Sequence, residues 1–112
     1  ANPDIIMEEP ETLFTQANRQ HISTYKVVYS DIDTNGHLNN TRYLRIASNL
    51  IPVETYKNHF LDSISINYKK EILAHQTIDL YLTQNNDEYI IEGDVEGENC
   101  FIIKIHMKEI ES

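Results

Sequence analysis

The chain has 112 residues, 40% of them hydrophobic and 24% charged, which fits one globular domain of ordinary composition. Nine Lys and Arg against 18 Asp and Glu give a net charge of -9, which argues against nucleic acid and anionic membranes as partners. No apolar run nears the ~18 residues of a membrane span, no signal-peptide pattern opens the chain, and the single Cys100 excludes an internal disulfide, so a cytoplasmic location is expected.

Residues 1–18, with Pro3, Pro10 and the acidic pair Glu8-Glu9, show no periodicity and read as a linker or N-terminal arm; residues 19–112 then form one domain. From His21 to Val28, β-branched residues and alternation predict a strand. Ser30 to Gly36 is loop, closed by the turn-forming pair Asn35-Gly36. Tyr43, Ile46, Ala47 and Leu50 then recur at helical spacing, with Asn39 or Asn40 able to cap the start and Pro52 limiting the end. The period switches to two for the rest of the chain. Four strands are predicted, centred on Ile64–Tyr68, Ile78–Leu82, Tyr89–Val95 and Phe101–Met107, with short turns that make most pairings antiparallel. Gly93, inside a strand, signals a bulge or a close approach by another backbone. One helix laid across an antiparallel sheet is an α+β architecture.

Charge is unevenly spread. Residues 19–70 carry seven basic and four acidic residues, while both flanks are strongly acidic. The segment Tyr29–Tyr43 lies in that basic stretch and gathers Asp31, Asp33, Asn35, His37, Asn39 and Asn40 at a loop-to-helix junction. Such groups are costly to bury unpaired, so they either satisfy one another or hold a ligand at the helix start. Asp33, Asn35 and Asn39 are also good turn and capping residues in any such junction. His37 alone could equally be a loop histidine, and Glu71 alone a solvated carboxylate.

The order of elements, together with Tyr29-Ser30-Asp31-Ile32-Asp33-Thr34-Asn35-Gly36-His37-Leu38-Asn39-Asn40, resembles the hot-dog-fold thioesterases. Within them the chain looks most like the C-terminal of the two hot-dog domains of acyl-acyl-carrier-protein (acyl-ACP) thioesterases, over roughly residues 20–110. Tyr68-Lys69-Lys70-Glu71 matches a second family feature; the Cys that follows this Glu in the plant enzymes is replaced here by Ile72, which removes any thiol nucleophile at that point.

The resemblance implies one long helix packed on a curved antiparallel sheet, and hydrolysis of a fatty acyl thioester of acyl carrier protein by an activated water. Asp33, Asn35, His37 and Glu71 would act as a catalytic unit, with His37 and Glu71 on opposite walls of one pocket and Glu71 partly desolvated by the sheet. Gly36, Asn39 and Asn40 would supply donors to the carbonyl oxygen. Arg42, Arg45, Lys69 and Lys70 could meet the acidic carrier protein. No metal spacing and no phosphate-binding glycine loop occurs, so no metal or other cofactor is expected. Open sheet edges make a homodimer, or pairing with a second hot-dog domain, the expected assembly. Two other readings share the same residues: a single-domain acyl-CoA thioesterase of the 4-hydroxybenzoyl-CoA type, and a non-catalytic hot-dog module that binds acyl chains or dimerises.

Overall fold

A computed structural model describes residues 6–7 and 11–111; Pro3, Glu8, Glu9 and Pro10 lie outside them. The strands are β1 (Ile6–Met7), β2 (Gln20–Lys26), β3 (His59–Tyr68), β4 (Thr77–Asn85), β5 (Glu88–Val95) and β6 (Glu98–Glu109). They form one sheet in the order β1-β3-β6-β5-β4-β2. Every pairing is antiparallel except the short parallel one of β1 with β3. All four strands predicted in the second half are present, and β3 starts five residues earlier than its alternating core. The β5–β6 connection is the two-residue turn Glu96-Gly97, both with positive φ, whose twist suits a hairpin. Register shifts at His21/Ser23, Leu61/Ser63 and Gly93/Asp94 mark bulges that bend the sheet.

The helix, α1, runs Asn40–Ser48. At nine residues it is short, because the chain breaks at Asn49 and then meets Pro52, which opens a single 3-10 turn, Val53–Lys57. Its Tyr43, Ile46 and Ala47 pack into the same core as Ile64, Ile78, Ile91, Phe101 and Ile103 from one face of the sheet. The predicted apolar stripe is therefore the buried one, with Leu50 only partly covered.

The opposite face is covered by residues 11–19. Leu13 packs with Ile90 and Ile102, and its amide donates to the Asn67 side chain at 2.6 Å. Arg19 forks onto Asp94, reaches Glu92 at 3.0 Å, and lies 3.8 Å over the Tyr81 ring. On alternation alone, Glu92 and Asp94 would fall on the face of β5 opposite Tyr89 and Ile91 and would be expected in solvent. Instead β5 is buried on both faces from Tyr89 to Val95, and paired charge makes the burial of two carboxylates tolerable.

Candidate active site

The loop before α1 is built on Asp carboxylates. Asp33 Oδ1 accepts from the amides of Asn35 (2.9 Å) and His37 (3.1 Å), while the Asp33 carbonyl takes the Gly36 amide at 3.1 Å. Gly36 sits at φ +82°, a conformation that favours glycine, so the Asn35-Gly36 turn forms as expected. Asp31, which is buried, accepts from the Tyr25 hydroxyl at 2.7 Å and the Val28 amide at 3.0 Å. Asn39 is the helix cap, its Oδ1 taking the Thr41 amide at 3.0 Å. The loop is then stitched to the segment after β3 by the Leu38 amide, 2.8 Å from the Ile72 carbonyl, and by a bridge between His37 and Leu73.

That stitching brings two distant residues together. His37 Nε2 lies 3.2 Å from Glu71 Oε2, a close polar approach that is not aligned as a hydrogen bond. Both line an open cleft of about 410 Å³, with Asp33, Leu38, Asn40, Tyr43, Tyr68, Lys69 and Lys70. The expected shared pocket is therefore present. The expected desolvation of Glu71 is not: its side chain is 70% exposed, because it follows the end of β3 and projects at the sheet's end rather than across its face.

Of the expected oxyanion donors, the amides of Gly36, His37, Leu38 and Asn39 already bond within the protein, the last to the Asp31 carbonyl at 2.8 Å. The backbone amides of Gly36 and Asn39 are thus committed to the loop. The amide of Asn40 opens the helix beside the cleft, in the first turn where amides lack intrahelical partners. Asn35 is exposed at the turn tip and is not among the residues lining the cleft.

The four expected docking cations divide. Arg42 is held inward by Asp31 (3.4 Å) and the Ser30 carbonyl (3.2 Å), and Lys70 pairs with Glu98 at 2.7 Å. Arg45 and Lys69 have no carboxylate partner among the described residues, and Lys69 lies on the cleft rim. Tyr43 is the cleft residue that sequence reasoning assigned only to the core. Its place on the apolar helical stripe hid the fact that it also lines the cleft.

The family model for the acyl-ACP thioesterase C-terminal domain matches residues 14–108. The chain belongs to the acyl-ACP thioesterase family. An acyl-ACP thioesterase from Bacteroides thetaiotaomicron shares 26% identity and a TM-score of 0.83 over 90% of this chain and 42% of its own. A 12:0-ACP thioesterase from Umbellularia californica aligns at 14% identity and a TM-score of 0.78, over 91% of this chain and 40% of its own. A Staphylococcus aureus protein in complex with CoA aligns at 18% identity and a TM-score of 0.70, over 80% of this chain and 76% of its own. No curated protein sequence matches. The chain thus spans about two-fifths of the length of the two acyl-ACP thioesterases. Its helix-on-sheet architecture is the hot-dog fold, and no helix among the described residues is long and apolar enough to cross a membrane.

Proposed function

We propose that this chain carries the hydrolytic centre of an acyl-ACP thioesterase, releasing a free fatty acid from the carrier's thioester. The observation that carries the proposal is the 3.2 Å approach of His37 to Glu71 within one cleft, made by residues 34 positions apart in the chain. Glu71 acts as general base: it takes a proton from water as the oxygen attacks the carbonyl carbon. The tetrahedral intermediate then collapses, the C–S bond breaks, and the thiolate leaves with the proton that Glu71 returns. His37 orients the Glu71 carboxylate through Nε2. Asp33 sets His37 by holding its backbone amide, rather than by touching its ring. The Asn40 amide, at the positive end of α1, faces the developing oxyanion.

The carrier-protein donor is favoured over CoA by the family match and by the cations Lys69 and Arg45, which would meet an acidic partner. β2 has a single neighbour among the described strands, so a second hot-dog layer, from another copy or an adjoining domain, is the pairing this edge would take.

The test compares hydrolysis of acyl-ACP and acyl-CoA by the wild type, His37→Ala and Glu71→Gln. Acyl-ACP should be the better substrate, and each substitution should lower kcat by about 10²-fold or more. A preference for acyl-CoA would favour the single-domain acyl-CoA reading. Rates indifferent to both substitutions would favour the non-catalytic module.

A further inference from the structure

With the amides of residues 36 to 39 committed to the loop, Asn40 is the one residue of that run whose backbone amide is left for a carbonyl oxygen. Tyr43 lines it, on the first turn of α1 and on the same wall as Asn40. The ring is fixed by two edge-to-face contacts, with Phe101 (centroids 5.0 Å apart, 83°) and with Tyr68 (5.0 Å, 80°). Phe101 is itself held against the bare Cα of Gly93, so the aim of Tyr43 is set from the middle of the sheet. The residue is 4% exposed, yet no described residue takes a hydrogen bond from its hydroxyl. The hydroxyl is not sealed off from the cleft that the residue lines, so a ligand there can reach it.

We propose that the Tyr43 hydroxyl is a further substrate contact, donating to the thioester carbonyl oxygen as negative charge develops on it. The inference rests on the hydrolytic reading of the cleft given above. Burial, with Tyr68, Cys100 and Glu71 nearby, pushes the Tyr43 phenol up to about 12, so it remains a neutral donor at neutral pH. A neutral donor suits this position better than a cation. It strengthens its bond as the oxygen gains charge, without forming an ion pair with the Glu71 carboxylate.

The experiment uses Tyr43→Phe, which keeps the ring and both edge contacts, with a thermal melt to verify folding. Hydrolysis should show kcat lowered by about 10²-fold with KM within about twofold. A binding arm uses two non-hydrolysable pantetheine compounds: an acyl ketone, with CH2 in place of sulfur, and an alkyl thioether without the carbonyl. The wild type should bind the ketone roughly five- to tenfold more tightly than the thioether, and Tyr43→Phe should lose that preference while binding the thioether equally well. An unchanged kcat together with an unchanged ketone preference would overturn the proposal. If the wild type hydrolyses no thioester, the hydrolytic reading falls, and the binding arm still decides whether Tyr43 contacts a carbonyl; a wild type with no ketone preference would count against it.

Discussion

Phe101 lies against Gly93, its register partner on the neighbouring strand, so closely that a methyl group on Gly93 would overlap the ring. The sequence signal at Gly93 was a bulge or a close backbone approach. The structure has the bulge, at Gly93/Asp94, and the approach is made by a side chain. Because Phe101 also buttresses Tyr43, the pair links the sheet's interior to the cleft. Gly93→Ala should therefore cost roughly 1–3 kcal/mol in urea-induced unfolding, as for other overpacked cores. A midpoint unchanged from the wild type would show that the ring has room to move.

Asp33 offers a cleaner separation of roles. Its Oδ1 accepts two backbone amides, including that of His37, and an Asn side chain has an oxygen that can do the same. Asp33→Asn should therefore keep kcat within about tenfold of the wild type, while Asp33→Ala, which releases the loop, should lose about 10²-fold. Steady-state kinetics with one acyl-ACP substrate reads both. If Asp33→Asn is as impaired as Asp33→Ala, the carboxylate's charge is needed in the chemistry itself.

Ile72 stands where the plant relatives carry the cysteine after the glutamate. Its side chain is fully buried in the core, and its carbonyl holds the Leu38 amide. The residue after Glu71 therefore points away from the solvent-facing cleft. Ile72→Cys should behave as a core truncation, lowering stability by roughly 1–3 kcal/mol. Hydrolysis should stay insensitive to thiol-modifying reagents, measured as residual activity after iodoacetamide. Inactivation by the reagent in the variant alone would place position 72 in the site after all.

Local signals were legible in the chain wherever a short-range rule governs. Strand positions, the Asn35-Gly36 turn, the Asn39 cap and the Tyr43, Ile46 and Ala47 stripe of α1 depend on neighbours a few residues apart, and these appear as expected. The joint match of the His37 loop with Glu71 also located the cleft. What stayed hidden depends on partners far away in sequence. Glu92 and Asp94 read as a solvent face because nothing local shows that Arg19, more than 70 residues earlier, folds back over them. Likewise, residue type could not reveal which loop amides remain free, since Leu38 and Asn39 spend theirs on the carbonyls of Ile72 and Asp31.

The Arg19 clamp makes acid stability a direct test of the covered face. Burial alone would raise the Asp94 carboxyl, but hydrogen bonds from Arg19 and Asn99 outweigh it and hold the group below its ordinary value of 3.8. A carboxyl that takes up a proton less readily when folded stabilises the fold above its unfolded value. That contribution is lost as pH falls through the lower folded value. Urea midpoints should therefore be insensitive to this group between about pH 5 and 7 and should fall below about pH 4. Arg19→Met leaves Glu92 and Asp94 covered without their cation. It should cost roughly 2–4 kcal/mol at neutral pH, somewhat under a fully buried pair because Arg19 is partly in solvent. With its cation gone, Asp94 takes up a proton more readily, so the variant should lose less of its remaining stability on acidification than the wild type does. Parallel pH profiles for the two proteins would mean that the arm is held by Leu13 and Asn67 alone, and that the buried carboxylates owe their tolerance to something other than Arg19.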